Sequence, residues 1–412
     1  MTGFTRYRRF LILSLCLSVA VFALYHWSSQ KGYTGESQQR TKAKNIILMV
    51  PDGMGLSAVT ATRIFKNGHK GAPLHLETLP HIGYQRTHSA DSSTTDSAAA
   101  ASAWASGEKF RNGEISCHDD DRDGKCEPTP LPTILETAKE KGKATGLVAT
   151  SNITHATPAA FGAHVPTRHC EQEVARQYIR VTGVEVILGG GIEKFNSTKI
   201  SADKCGTYGN FLEDAAKRGY VVVHTREQMV RAASVGTKKI LGLFSPAGKT
   251  PELFRVYPEN GYPADEPTLS EMTAAALKIL EKEYDGFFLL VEGSQIDWAE
   301  HRNELPYQIC ETLAFDEAVK VVLDWLKEKP GRNMETLLIV APDHETGGFS
   351  IAGTEQGLYK PGDLVNPLWS TTKHTAGEVV IWSQGPGSSS LARAVDNTAI
   401  HQVMMKAIMS SP

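Results

Sequence analysis

The chain lacks an excess of either charge, and it lacks internal repeats. Its 412 residues include 43 Lys and Arg against 46 Asp and Glu, which gives a net charge of −3 at pH 7. This balance implies no basic face, so nucleic acid is a poor candidate partner. No shift in composition marks a second domain either. With 41% hydrophobic residues, residues 45–412 can bury a large core, and we predict that they form a single domain.

The N-terminal stretch has the pattern of an export signal. An apolar run at residues 10–25 follows three arginines and precedes a polar stretch that ends near Lys44. A basic segment followed by an apolar one is typical of signal peptides, although this run has no clean cleavage site after it and is short for a membrane-spanning helix. We expect residues 1–44 to be either a cleaved signal or an uncleaved membrane anchor with a polar linker. The protein is then periplasmic, secreted or anchored at the outer face of the membrane.

Cysteines are few, and their spacing predicts two disulfides if the chain is exported. Cys117 and Cys126 would close a short loop, and Cys170 would pair with Cys205. Cys310 would remain as a buried thiol. The alternative keeps these five cysteines reduced.

Three apolar runs end in an acidic residue: 45–52 in Asp52, 286–292 in Glu292 and 337–343 in Asp343. Continuous apolar runs are typical of parallel strands that are buried on both faces. Further strands are predicted at 144–149, 184–188, 220–223, 239–244 and 378–382, helices at 55–67, 97–106, 132–141, 170–182, 209–218, 268–283, 311–328 and 395–409, and loops at 192–210 and 245–267.

This alternation of strands and helices predicts an α/β fold with a doubly wound, largely parallel sheet flanked by helices. The acids at the three strand ends would then lie at the carboxyl edge of the sheet. Ligands of open α/β sheets bind at that edge. The pattern therefore indicates a ligand site there.

Ser97 opens an alanine-rich run that closes on Gly107, which predicts a helix at 97–106. The free backbone N–H groups at a helix N-terminus favour an anion. Taken alone, Ser97 is most simply explained as the cap of this helix. A functional interpretation depends on the metal-binding pattern in the rest of the chain.

Acidic and histidine residues form two candidate sets of metal ligands. Asp297 and His301 are four residues apart, so on a helix they share one face and offer an oxygen and a nitrogen to Zn²⁺. Asp343 and His344 are adjacent at a strand end, where both can turn towards one ion or neighbouring ions. Asp52 beside Gly53, His374 before the last predicted strand, and Glu292, which suits Mg²⁺, complete the candidates.

These motifs together resemble those of the alkaline phosphatase family. Asp-Gly-Met-Gly, Thr-Asp-Ser-Ala-Ala, Ile-Asp-x-x-x-His, Asp-His-Glu-Thr-Gly-Gly and a later His-Thr occur in the family's order over residues 45–385. The resemblance implies an alkaline-phosphatase-like fold with surface insertions and a homodimer. It implies hydrolysis of small phosphate monoesters through a phosphoserine, with two zinc ions and one magnesium ion as cofactors.

The resemblance also assigns roles to individual residues. Ser97 would be the nucleophile, and Arg168 would bind the phosphate group. The implied ligands are Asp297, His301 and His374 for one zinc, Asp52, Asp343 and His344 for the other, and Asp52, Glu292 and Thr157 for magnesium, with His155 beside that site.

Two positions depart from the well-studied bacterial form of the family. His155 stands where that form has an aspartate near magnesium, and Trp298, beside the substrate, replaces a lysine that reaches phosphate through water. We therefore expect weaker retention of product phosphate. Two alternative functions stay open: a phosphodiesterase of the same superfamily, and a non-catalytic protein that binds metal or phosphate.

One acidic motif lies outside this pattern. Asp119, Asp121 and Asp123 have the Asp-x-Asp-x-Asp-Gly spacing of a calcium loop, but Pro130 stands where such loops have a glutamate. Calcium binding and a solvated acidic loop are both open interpretations. We expect residues 111–130 to form an insertion beside the mouth of the active site.

Overall fold

The computed structural model describes residues 42–127, 130–201, 203–256, 263–353 and 357–409. The predicted export segment falls almost wholly on residues 1–41, which lie outside this part of the chain, so its two interpretations stay predictions. The division into residues 1–44 and one domain at 45–412 also stays a prediction. Among the described residues, no helix is both long enough and apolar enough to cross a membrane.

A ten-stranded sheet forms the centre of the described structure. Its strands are β1 (Asn45–Pro51), β2 (His81–Arg86), β3 (Ala144–Asn152), β4 (Val186–Gly190), β5 (Val221–Val223), β6 (Ile240–Leu243), β7 (Phe287–Gly293), β8 (Thr336–Val340), β9 (Val379–Gln384) and β10 (Ala394–Asp396). Their order across the sheet is β10-β2-β9-β8-β1-β7-β3-β4-β6-β5. Neighbouring strands pair in parallel except at β9, which is antiparallel to both β8 and β2. The prediction of a largely parallel sheet is therefore confirmed.

The register of the central strands brings the three predicted acids together. Strand β1 lies between β7 and β8, and all seven of its residues are buried. Val50 pairs with Glu292, and Met49 pairs with Val340. Because the three strands run in the same direction, Asp52, Glu292 and Asp343 follow at one edge of the sheet.

Helices cover both faces of this sheet. Alternate residues of a strand point to opposite faces, so Leu48 packs in one apolar layer with Trp104, and Met49 packs in the other with Phe315. The helices are α1 (Leu56–Asn67), α2 (Ser97–Ser106), α3 (Ile134–Glu140), α4 (Ala156–Gly162), α5 (Glu171–Gln177), α6 (Ile192–Phe195), α7 (Phe211–Lys217), α8 (Arg226–Ser234), α9 (Glu252–Val256), α10 (Leu269–Leu280), α11 (Gln295–His301), α12 (Leu305–Glu328), α13 (Arg332–Glu335) and α14 (Thr398–Met409). This is the doubly wound arrangement that the sequence predicts.

Sequence patterns missed the elements at one edge of the sheet. Strands β2 and β10 were not predicted, and β10 occupies the start of a stretch that was predicted as helix. Strand β2 has exposed Ile82 and Tyr84 alternating with buried Gly83 and Gln85, so its pattern contains no continuous apolar run.

Helices α4 and α8 were also missed, and α12 begins at Leu305 rather than at residue 311.

Both predicted disulfides are present, and the fully reduced alternative is wrong. Cys117 is bonded to Cys126 and Cys170 to Cys205. Cys310 is a free thiol, but it is half-buried rather than buried. Its surroundings raise the pKa of the thiol to about 11, mainly through burial.

We predict that truncating a central strand residue destabilises the whole sheet. Leu48→Ala removes a fully buried side chain of β1, and such a change costs about 2–5 kcal/mol through lost burial and the cavity left behind. Urea denaturation followed by circular dichroism measures the loss. Leu358→Ala is the matched control, because this leucine is 54% exposed. Equal losses in the two variants would contradict the prediction.

Candidate active site

Helix α2 places Ser97 at its first turn, but Ser97 is not its cap. The preceding residue, Asp96, takes that place, because its carboxylate accepts a hydrogen bond of 3.0 Å from the backbone N–H of Ala99. The capping interpretation of Ser97 is therefore wrong. The Ser97 side chain is buried, and its hydroxyl oxygen lies 3.4 Å from Nε2 of His344.

One candidate ligand set lies around this hydroxyl. Asp52, Asp343 and His344 are fully buried, and each offers a ligand atom within 4.8 Å of the other two. Nε2 of His344 is 3.1 Å from Oδ2 of Asp343 and 3.7 Å from Oδ1 of Asp52. The backbone N–H groups of Gly53 and His344 both donate to Oδ1 of Asp343, which fixes that carboxylate in place.

The second candidate set lies beside the first. Nε2 of His301 is 3.3 Å from Asp297 Oδ2 and 3.1 Å from Nε2 of His374, and His374 Nε2 is 3.5 Å from Asp297 Oδ1. His344 connects the two sets, since its ring stacks on that of His374 at 3.5 Å. Asp297, His344 and His374 also offer ligand atoms within 4.8 Å of one another. The structure thus brings together all six residues that the resemblance implies for zinc.

The buried polar atoms of this region fit metal ions. Both carboxylate oxygens of Asp52, Oε1 of Glu292 and the hydroxyl of Thr157 are buried without a hydrogen-bond partner. Unpaired buried oxygens are costly unless a cation neutralises them. Carboxylates with imidazoles suit Zn²⁺, and carboxylates with a hydroxyl suit Mg²⁺.

Burial shifts the pKa values of three groups in this cluster towards their neutral forms. Burial raises the pKa of Asp52 well above its usual value, and the nearby carboxylate of Asp343 raises it further. Burial also raises the pKa of Glu292 to about 7. Burial lowers the pKa of His374 to about 4, and the neighbouring His344 adds to this effect. His374 is therefore a neutral imidazole at neutral pH, which is the form that binds metal.

Arg168 contacts Asp96, the residue that precedes Ser97, and is held in a fixed position. Its guanidinium donates to Asp96 Oδ2 at 3.0 Å and to His155 Nε2 at 3.1 Å, while its backbone N–H donates to Gly113 O at 2.7 Å. Burial and the positive charge of Arg168 lower the pKa of His155 to about 4, so this imidazole is neutral. Trp298 packs edge-on against His155, with ring centroids 6.2 Å apart.

Sequence reasoning missed three residues that organise the site. Asp96 caps α2 and orients Arg168. Its capping role could have been predicted from its position before Ser97, because aspartate is a preferred capping residue. Thr346 donates to Asp297 Oδ1 at 2.6 Å and lies 3.2 Å from Nδ1 of His344. Asn112 accepts from the Asp96 backbone at 2.9 Å. Nothing in the sequence spacing signals the last two.

The acidic loop lies apart from these ligand sets. Asp119, Asp121 and Asp123 offer oxygens within 4.8 Å of one another. Asp123 also forms an ion pair with Lys125, and that cation would compete with a metal. Calcium binding by this loop stays a prediction.

Comparison with known proteins agrees with this geometry. The chain matches the model of the alkaline phosphatase family over residues 43–363. Alkaline phosphatase 3 of Bacillus subtilis is 36% identical, over 85% of this chain and 72% of that protein. Alkaline phosphatase of Escherichia coli K12 is 31% identical, over 89% of this chain and 86% of that protein.

The chain belongs to the alkaline phosphatase family. Solved structures agree: the alkaline phosphatase of the Antarctic bacterium TAB5 has a TM-score of 0.75 and 31% identity, covering 91% of this chain and 100% of that one. That of Thermus thermophilus has a TM-score of 0.76 and 28% identity, covering 90% and 93%. This alkaline phosphatase family member is therefore a phosphomonoesterase, and its family implies metal cofactors.

We predict that Asp96→Asn weakens phosphate binding without destabilising α2. Asparagine caps a helix as well as aspartate does, but it loses the charged contact to Arg168. The inhibition constant of inorganic phosphate should rise about fivefold, since a partly buried ion pair contributes about 1 kcal/mol. Asp265→Asn, at an exposed position, is the control for a lost surface charge. An unchanged inhibition constant would mean that Asp96 does not orient Arg168.

Proposed function

We propose that this phosphomonoesterase transfers the phosphoryl group of its substrate to Ser97, with zinc at the two clustered ligand sets and magnesium beside them. The observation that carries the proposal is the place of the Ser97 hydroxyl. It lies at the start of a helix and 3.4 Å from His344, a residue that belongs to both clusters. Zinc there would lower the pKa of the hydroxyl and neutralise the departing alcohol oxygen.

The chain's own residues bind and orient the substrate. Arg168 offers two parallel N–H donors to two phosphate oxygens, and Asp96 and His155 hold its guanidinium in position. The N-terminus of α2 adds a favourable field for the anion. The Ser97 hydroxyl then loses its proton, Oγ forms a bond to phosphorus as the bond to the alcohol oxygen breaks, and the departing alcohol takes up a proton.

The second half of the reaction restores the enzyme. A water oxygen attacks the phosphorus of the phosphoserine, the Ser97 Oγ–phosphorus bond breaks, and inorganic phosphate leaves. Arg168 keeps the phosphate oriented in both halves. The site needs no histidine as general base, because zinc at the two ligand sets would activate the attacking oxygen.

We assign the magnesium site to Asp52, Glu292 and Thr157, with His155 next to it. Support comes from the unpartnered buried oxygens of the first three. Two structures of the TAB5 enzyme, in which a histidine is replaced by glutamate or by aspartate, hold Mg in a site named M3. A similar replacement at His155 should improve the retention of magnesium here.

Export is supported by the two disulfides, which form and persist in oxidising compartments. The family resemblance supports a homodimer. Light scattering of the purified protein measures its mass, and sequencing of its N-terminus tells cleavage from anchoring.

We predict that Ser97→Ala abolishes turnover while zinc is retained. The serine contributes the nucleophile, whereas the six clustered side chains remain in place. Hydrolysis of p-nitrophenyl phosphate and elemental analysis of the same sample measure the two properties. A variant that keeps full activity would rule out Ser97 as the nucleophile.

Faster hydrolysis of the bis(p-nitrophenyl) ester than of the monoester, by the unaltered protein, would favour a phosphodiesterase instead.

We predict that His155→Asp combined with Trp298→Lys tightens the binding of product phosphate. The aspartate adds an oxygen ligand near the magnesium site, and the lysine adds a cation within reach of phosphate. The inhibition constant of inorganic phosphate should fall about tenfold, as expected for 1–2 kcal/mol of added attraction. Trp369→Lys, at a half-buried tryptophan outside the ligand sets, is the control. No change in the inhibition constant would contradict the proposed effect of these two positions.

A further inference from the structure

Gly248 lies directly against the indole of Trp298. A Cβ atom on Gly248 would be 2.5 Å from Cη2 and 2.7 Å from Cζ3 of that ring, both far inside the distance of normal contact. The indole also packs edge-on against the ring of His155. Trp298 is therefore packed between a bare stretch of backbone and the histidine that contacts Arg168.

The backbone beside Gly248 is fixed to the rest of the fold. Lys249 N–H donates to Thr150 O at 2.9 Å, and Lys249 O accepts from Gln295 Nε2 at 2.6 Å. Thr150 belongs to β3, and Gln295 begins α11, the helix that carries Trp298. On the other side of Gly248, the carbonyl of Ser245 accepts from the backbone N–H groups of Gly191 at 3.0 Å and Ile192 at 3.1 Å. Residues 245–250 are thus held on both sides of Gly248.

A buried ion pair adds a further anchor to this segment. Lys249 Nζ donates to Glu266 Oε2 at 3.1 Å, and the two side chains are 1% and 5% exposed. Glu266 also accepts from Thr250 N–H at 3.0 Å. A buried pair of this kind is costly to break, because each partner would be left as an unpaired buried charge. A side chain at position 248 therefore cannot be accommodated by moving the segment, and the indole has to move instead.

We propose that Gly248 is a positioning residue that sets the place of the Trp298 ring against His155, the residue that contacts Arg168. The proposal rests on the proposed function, since it takes Arg168 as the phosphate-binding group. The absence of a side chain lets the fixed segment support the indole at van der Waals distance. Because the ring packs against His155, and His155 contacts Arg168, the place of the ring affects Arg168 and with it substrate and product binding.

The test uses three full-length variants: Gly248→Ala, Trp298→Phe and the double variant. Gly248→Ala should raise both the KM for p-nitrophenyl phosphate and the inhibition constant of inorganic phosphate about threefold or more, because small displacements near a reacting group are costly. The change in kcat should be smaller. In the double variant the smaller phenyl ring lacks the outer atoms that the added methyl would strike. The effect of Gly248→Ala should therefore disappear on the Trp298→Phe background.

Gly353→Ala is the matched control. Gly353 has open space where a Cβ would be, so the same substitution should change neither constant. Thermal unfolding of every variant tests whether the chain folds. If Gly248→Ala alone fails to fold, the comparison of the double variant with Trp298→Phe still decides, because the proposal expects those two to fold and to bind phosphate equally.

A second measurement does not depend on activity. The contribution of Trp298 to the intrinsic fluorescence of the metal-free protein is the signal of the unaltered protein minus that of Trp298→Phe. For Gly248→Ala, it is the signal of that variant minus that of the double variant. Acrylamide should quench this contribution to a different extent in Gly248→Ala, because the ring is displaced. Identical quenching and an unchanged inhibition constant would overturn the proposal, as would full additivity of the two substitutions. Loss of monoester hydrolysis in the unaltered protein would overturn the proposed function instead, and the quenching comparison would still test Gly248.

Discussion

Four buried carboxylates at one edge of a parallel sheet impose the main constraint on this molecule. Asp52, Glu292 and Asp343 are fully buried, and Asp297 is 5% exposed. Carboxylates that lie close together inside a protein repel one another, and burial adds a large desolvation cost. The raised pKa values of Asp52 and Glu292 express that cost. Such a cluster is stable in its charged form only with cations beside it, so the architecture of the site and its need for metal follow from the same arrangement.

The remaining parts of the site are placed relative to this cluster. Helix α2 points its N-terminus towards it and delivers Ser97, while Asp96 connects the cap of the helix to Arg168, the proposed phosphate-binding residue. Thr346 contacts a residue of each candidate ligand set, so the two sets are coupled through one hydroxyl group. A displacement of any of these elements would therefore move Ser97, Arg168 and the candidate ligands together.

The central part of the fold could be predicted because its signal is local. Strands β1, β7 and β8 each contain a continuous apolar run, since both faces of each strand are buried. The edge strand β2 could not be predicted in this way, because exposed Ile82 and Tyr84 give it no clear pattern. Its pairing with β9 and β10 depends on segments about 300 residues away in the chain. The sequence also favoured Ser97 as the cap of α2. Asp96 is an equally good capping residue one position earlier, and it takes that place in the structure.

The sequence alone determined the chemical inventory of this protein: its acids, histidines, serine and arginine, their motif order and the parallel sheet that carries them. Only the tertiary structure decided how Asp96, Asn112, Thr346 and Gly248 contribute, because their partners lie in other elements and no spacing rule relates them. A hydrogen bond or a close contact between distant segments depends on the packing of every element between them. Local patterns indicate which face of a helix or strand is buried, but not which atoms of other elements contact that face.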